Sequence, residues 1–369
     1  MSLSLKDIEL YQFRNYYSFE LNDIGSFTIF VGPNAIGKTN LIEAIQLITS
    51  LNSLKSATLS HLITWGKEQA KVKGSFSNEK RNLTLSLDIN KENKKYLLND
   101  KGKKPKDLKG MFPSVIFSPD DLCLIKGSQS IKRKWLDDLG SQLSSNYQVI
   151  KRDYEKLLLQ KNHLLKDNYS SVLLDSINET LITTGTQLYC YRNSLFNRII
   201  PLIKKYYKII SDSKESIEGT YIPSWETINE EIFQEFNYLK EEARNLFSLH
   251  LEKMKTEEKR RGRSLIGPHA DKVVFCINKK NVGLYGSQGQ QRSLVLSIKL
   301  AEVAIIEEFK KQKPILLLDD VMSELDENRR RCLLEFITDD LQTFITTTHL
   351  EYFPHSIISN AHTISLAKE

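Results

Sequence analysis

A chain of 369 residues is longer than one hydrophobic core usually serves, so two compact bodies are expected. Its 40% hydrophobic and 27% charged residues describe a globular protein, and no run approaches the length of an apolar membrane span, so neither a membrane partner nor an anchor is expected. The net charge of +6 permits an acidic partner without identifying one. Cys123, Cys190, Cys276 and Cys332 stand far apart, which argues against a disulfide framework or a Cys-x-x-Cys zinc site and fits a reducing, cytoplasmic location.

In chain order, β-branched and alternating runs predict strands over residues 5–13, 26–31, 69–77, 81–89, 95–98 and 113–117. One helix follows the second of these, with Leu41, Ile42, Ala44, Ile45 and Ile48 at helical spacing. From Pro119 to Pro201 there is no proline, and apolar residues recur at three- and four-residue steps over 131–165 and 172–210, so helices are expected there. A short strand at 217–222 precedes a helix over 228–258 that ends at the basic block Lys259, Arg260, Arg261 and Arg263. Strand and helix then alternate again: 272–277, 290–309, 314–318, 327–337 and 343–348. The expected fold is α/β: a mixed-sheet domain split into 1–122 and 263–369, with a mainly helical lobe inserted at 123–262.

Between the second strand and its helix stands Gly32-Pro33-Asn34-Ala35-Ile36-Gly37-Lys38-Thr39-Asn40, a complete G-x-x-x-x-G-K-T loop. Gly32 and Gly37 let backbone N–H groups turn inward around phosphate oxygens, and the positive helix end adds to the field. Lys38 is the residue to reach the β- and γ-phosphates, and the Thr39 hydroxyl to ligate Mg²⁺. The expected ligands are therefore ATP and Mg²⁺.

The second half supplies matching parts. Ile315-Leu316-Leu317-Leu318 is an apolar strand ending in Asp319 and Asp320, the form of a Walker B element. Asp319 is expected to hold the metal through water opposite Thr39, and Asp320 to polarise the attacking water. Gly286-Ser287-Gln288-Gly289-Gln290-Gln291 opens a helix at the position of an ABC signature. Ser323 to Asp326 follows as a D-loop, and His349, after the 343–348 strand, stands where ABC ATPases carry a γ-phosphate switch residue.

Taken together, Phe13-Arg14-Asn15-Tyr16, the phosphate loop, Ile116 to Leu122, Leu265-Ile266-Gly267-Pro268-His269, Ser287 to Arg292 and Leu318 to Asp326 resemble the RecF family over the whole chain. RecF proteins are bacterial recombination mediators built on an SMC-like ABC ATPase head. The resemblance implies a protein that binds ATP and DNA at gaps or duplex/single-strand junctions and dimerises head to tail over two nucleotides. It implies slow hydrolysis that acts as a switch and is stimulated by DNA. In the family, RecR recognises the bound complex, and RecO with RecR loads RecA. Arg14 and Asn15 would lie near the nucleotide, and Ser287, Gly289 and Gln290 would act in trans on the partner copy's γ-phosphate.

Three positions depart from the family pattern. Residues 54–58 lack an expected arginine, Ala270 and Asp271 follow Gly-Pro-His in place of arginine, and no glutamine follows Phe117, where Asp120 or Asp121 stands instead. The alternatives are a diverged SMC-like ATPase driving DNA cleavage or a defence complex through another subunit, or an ABC transporter subunit. For the latter, the stretch of about 250 residues between phosphate loop and signature is too long. Helices of the insertion reach only about 60 to 70 Å at ~1.5 Å per residue, too short for a chromosome-condensing arm. Candidate DNA contacts are the lysines at 101–109, Lys132-Arg133-Lys134 and the block at 259–263.

Overall fold

The computed structural model describes residues 3–51, 58–167, 171–211, 215–226, 236–337 and 340–367. The chain divides into two compact units, Met1–Asp121 with Leu296–Glu369, and Leu122–Val295.

The first unit holds two sheets. His362–Ser365, Phe27–Val31, Thr343–Thr347, Ile315–Asp319 and Ser114–Phe117 lie side by side in that order, all parallel. Ile315–Asp319 and Thr343–Thr347 are buried along their whole length, which is why they read as continuous apolar and β-branched runs. The second sheet is antiparallel, with Tyr16–Leu21, Ser4–Phe13, Gln69–Asn78, Arg81–Asn90, Lys94–Leu98 and Lys101–Lys103 in spatial order. The strands expected before residue 122 thus sort into two sheets, alternating ones into the antiparallel sheet and fully apolar ones into the parallel sheet.

The helix Lys38–Thr49 packs on strands of both sheets, and every residue from Leu41 to Thr49 is buried. Gln342 ties the sheets together: its amide donates to the Leu5 and Gly25 carbonyls at 2.8 and 3.1 Å and accepts from the Leu5 N–H at 2.7 Å. The strand Lys101–Lys103 was hidden in the lysine run. Asn99 and Asp100 both take positive φ, 48° and 62°, the two-residue turn that closes a hairpin.

The second unit is mainly helical, built on Gln129–Leu143, Ser145–Lys166, Ser171–Ile210 and Lys240–Arg261 with a three-stranded antiparallel sheet. The stretch 131–165 is two helices, because Ser144 is extended and its hydroxyl accepts from the Tyr147 N–H to start the second. The helix expected over 228–258 begins at Lys240, with residues 227–235 outside the described residues. Glu241 and Glu242 in its first turn and three basic residues in its last match the helix dipole, and Gly262 at φ 62° ends it. The inserted unit runs to Val295, not 262, because Lys272–Ile277 pairs antiparallel with Ile217–Ile222.

The Gly267-Pro268-His269 motif is the hub of this unit. Gly267 has φ 134°, and a Cβ there would fall 2.5 Å from the Tyr154 hydroxyl. Arg192 donates to both oxygens of buried Asp137 at 2.8 Å and to the Pro268 carbonyl. Asp271, fully buried, accepts from the Tyr221 hydroxyl and the Ser224 N–H, while its carbonyl accepts from Arg133. His269 faces the Ser264 carbonyl, which only accepts, so Nε2 carries the proton and Nδ1 accepts from Tyr154 at 2.7 Å.

Burial lowers the His269 pKa to about 4, opposed first by the hydrogen bond to the Ser264 carbonyl and then by Glu258, with Lys161 and Arg133 adding to the lowering. Burial raises Asp271 to about 6 against the pull of Arg192, Tyr221 and Arg133. The signs oppose. The His269 contribution is present above pH ~6.5 and lost as pH falls toward 4; the Asp271 contribution is present below pH ~4 and lost as pH rises through 6. Between pH 6.5 and 4.5, Asp271→Asn is expected to lose stability relative to the unsubstituted chain, and His269→Asn to gain, each on the order of 2 kcal/mol. Urea unfolding followed by the fluorescence of Trp135 and Trp225 reads both slopes; equal slopes in all three proteins would refute the assignment.

Candidate nucleotide-binding site

The phosphate loop leaves the tip of Phe27–Val31 and enters the helix Lys38–Thr49. Its shape requires the two glycines. A Cβ on Gly32 would fall 2.9 Å from the Leu366 carbonyl oxygen, and Gly37 has φ 113° with the Asn15 amide 2.4 Å from where a Cβ would stand. Pro33, Asn34 and Ala35 are exposed at the loop's crest, Ala35 in the left-handed region at φ 65°, and Ile36 is buried beneath them.

Lys38 is buried, and its ammonium donates to the Gly32 and Pro33 carbonyls at 2.7 and 3.0 Å. Burial lowers its pKa, opposed by the charges of Asp320 and Asp319. The Thr39 hydroxyl donates to Asp319 at 3.0 Å, joining phosphate loop and Walker B strand across 280 residues of chain. Asp319 also accepts from the Thr346 hydroxyl at 2.8 Å, and that hydroxyl accepts from the Asp320 N–H at 2.9 Å. Asp320 takes a left-handed backbone, φ 53°, and its buried Oδ1 has no hydrogen-bond partner among the described residues. Burial raises its pKa, with Lys38 the largest opposing charge. His349 is exposed, near enough to Asp320 to contribute to that balance, and its ring meets Tyr352 edge-on.

Other sequence-selected residues are committed elsewhere. The Arg14 guanidinium spans both carboxylate oxygens of buried Glu43, at 2.8 and 3.0 Å, and its third nitrogen donates to the His61 carbonyl. Arg14 therefore braces the phosphate-loop helix. Asn15 donates to the Ile36 carbonyl at 2.9 Å and accepts from Asn40 at 2.7 Å, holding the loop from the side. Asp121 pairs with buried Lys299 at 2.8 Å and accepts from the Ser118 N–H, whereas Asp120 is exposed. Asp326 caps Glu327–Phe336 through the Arg329 N–H. The 54–57 stretch lies outside the described residues.

Ser287, Gly289 and Gln290 belong to the second unit, at the start of the helix Gln288–Lys310. Ser287 accepts from the Gln290 N–H at 3.2 Å while Gln290 accepts from the Ser287 N–H at 2.8 Å, a reciprocal capping box. Thr346 escaped the sequence reading. A threonine in a β-branched strand signals only strand propensity; its chemistry appears when register sets it opposite Asp319.

Residues 4–365 match the family described as RecF/RecN/SMC N terminal domain. The chain is 36% identical over 366 residues to the DNA replication and repair protein RecF of Bacillus thuringiensis (strain Al Hakam), covering 98% of this chain and 96% of that protein. The RecF of Bacillus cereus (strain AH187) is equally similar. A solved structure of the recombination mediator protein RecF with ATP, of the RecFOR pathway, superposes with a TM-score of 0.86 at 32% identity, covering 94% of each chain. An Smc head bound to the C-winged helix domain of ScpA gives 0.56 at 16% identity over 99% of this chain and 94% of that one, a likeness of fold alone. No helix among the described residues is long and apolar enough to cross a membrane. By sequence over its whole length and by fold, the chain belongs to the RecF family, with the ABC-type head and helical insert of that family.

Proposed function

We propose that this protein is an ATP-switched recombination mediator, which dimerises with ATP on gapped DNA, hydrolyses ATP slowly and releases. The observation that carries the reading is the Thr39–Asp319 hydrogen bond beside buried Lys38, which gathers a phosphate ligand, a hydroxyl and two carboxylates at the tips of parallel strands. ATP and Mg²⁺ fit these residues. The phosphate loop cannot accept side chains at Gly32 or Gly37, the Lys38 ammonium rests on loop carbonyls that a triphosphate would replace, and Asp320 keeps an unpaired oxygen. Thr39 and Asp319 would hold Mg²⁺, which supplies charge neutralisation on the phosphates. Asp320 would orient and deprotonate water; being one methylene shorter than glutamate, it suits slow turnover. His349 would sense the γ-phosphate.

RecF of the RecFOR pathway is the relative on which the partner reading rests: DNA, a second copy of the chain, RecR directly, and RecO and RecA through it. Of the basic blocks, Lys132 is buried, Arg133 donates to the Asp271 carbonyl, and Arg260 and Arg261 both pair with Glu257. Lys101 and Lys103 lie on the edge strand of the antiparallel sheet and Lys104 and Lys106 just after it, all four exposed and with no ion pair among the described residues. That edge is where phosphate contacts are favoured.

Light scattering with ADP, with ATP and Mg²⁺, and with ATP, Mg²⁺ and a gapped duplex is expected to give monomer, dimer and DNA-bound dimer. A monomer in all three would sink the clamp reading. Lys38→Ala is expected to lose ATP binding and ATP-dependent dimerisation together, read by fluorescent-nucleotide titration. Replacing Lys101, Lys103, Lys104 and Lys106 by Glu should weaken DNA binding and lower the salt dependence by roughly 0.9 for each DNA phosphate that is no longer neutralised. Lys132→Met should leave that slope unchanged; the reverse pattern would move the DNA to another face.

A further inference from the structure

The signature segment is held by more than its own cap. Gln290 accepts from the Ser287 N–H through Oε1, and its amide nitrogen donates to Glu215 Oε1 at 2.7 Å. The other oxygen of Glu215 accepts from the hydroxyl of Tyr207, a fully buried residue near the end of the helix Ser171–Ile210. Glu215 stands just before the strand Ile217–Ile222, so the clamp joins three elements of the second unit.

A carboxylate only accepts hydrogen bonds, and this fixes the Gln290 amide. Its NH₂ must face Glu215, which leaves its oxygen for the Ser287 N–H and completes the capping box. Ser287 Oγ, in turn, spends a lone pair on the Gln290 N–H. Its hydroxyl proton is therefore the polar hydrogen left over, on an exposed side chain with no acceptor among the described residues. The clamp consumes one donor and presents another.

The geometry points to Glu215 and Gln290 as positioning residues: together with Tyr207 they lock the signature turn so that the Ser287 hydroxyl, and not the Gln290 amide, is the group offered to an anionic phosphate of a second copy. This rests on the proposed ATP-dependent dimer and on the action of the signature in trans that the family resemblance implies, and it reassigns Gln290 from ligand to support.

The test exchanges donor and acceptor. In Gln290→Glu two carboxylates face each other, and ATP-dependent dimerisation is expected to weaken by about tenfold or more while nucleotide affinity stays unchanged. In the double variant Glu215→Gln with Gln290→Glu, the new amide donates to Glu at 290 and still accepts from Tyr207, while Glu at 290 accepts the Ser287 N–H. Dimerisation is then expected to return to within about threefold of the unsubstituted protein. Sedimentation gives the dimer constant, a fluorescent ATP analogue the nucleotide affinity, and thermal unfolding shows that each variant folds. A double variant as impaired as Gln290→Glu would overturn the inference, since an amide that itself bound phosphate could not be replaced by a carboxylate. An unimpaired Gln290→Glu would overturn it equally. Ser287→Arg separates the parent reading: nucleotide binding kept and dimerisation blocked is expected, and normal dimerisation there would refute the trans signature itself and the clamp's role with it.

Discussion

Parallel register is the constraint on which the candidate site depends. Asp319 sits opposite Thr346 and Leu318 opposite Ile345, while Thr347 sits opposite Val31, the last residue before the phosphate loop. Those pairings bring the tips of three strands level and set the Thr39 hydroxyl against Asp319. A slip of one residue in the Thr343–Thr347 strand would turn Thr346 to the opposite face. Asp319 would lose a donor and Asp320 the acceptor that holds its left-handed backbone. Because every one of these groups is buried or half-buried, each missing bond leaves a polar atom unsatisfied, at a cost of about 1 to 3 kcal/mol. The register is thereby enforced by the same polar contacts that it creates.

Two charged pairs in this unit serve to hold its frame. Arg14 carries a fixed positive charge beside the phosphate-loop helix, yet its guanidinium is spent on both oxygens of Glu43, a carboxylate buried on that helix. Buried Lys299 likewise pairs with Asp121, at 2.8 Å. A buried pair of this kind adds little net stability over an apolar packing but is costly to break from one side, since the remaining charge is stranded. Such pairs therefore act as locators. The candidate site gathered by the parallel register is a small set: Lys38, Thr39, Asp319 and Asp320.

That small set is the most legible part of the sequence, because its residues stand at fixed local spacing. Two glycines five residues apart, with Lys38 and Thr39 behind them, announce the tight strand-to-helix turn that forms there, and an apolar run ending in paired aspartates names its own strand tip. The Asn99-Asp100 hairpin and the strand Tyr16–Leu21 were harder, the first hidden by lysines that suggest a solvated loop, the second too short to stand clear of its neighbours. The hub around Gly267 was illegible for a physical reason. Its contacts join residues far apart in the chain, Tyr154 with His269 and Arg192 with Asp137, and no periodicity records a partner 115 or 55 residues away. A glycine in one sequence shows freedom of backbone, not the tyrosine hydroxyl that forbids its replacement.

The long helix Ser171–Ile210 gives the second unit its internal logic. Arg192 anchors it to the hub, and Tyr207, about 22 Å further on at ~1.5 Å per residue, reaches Glu215 near its far end. Pro201 lies between them, where it removes one backbone donor. Packing makes up for that loss, since Ile199, Ile203 and Tyr207 are all fully buried. A helix so held has little freedom to rotate about its axis, so the direction from which Tyr207 meets Glu215 is set by the lobe's core. The orientation of a four-residue polar turn at the signature is then not a property of the turn alone. It follows from the packing of a helix whose other anchor is an arginine spanning both oxygens of a buried aspartate.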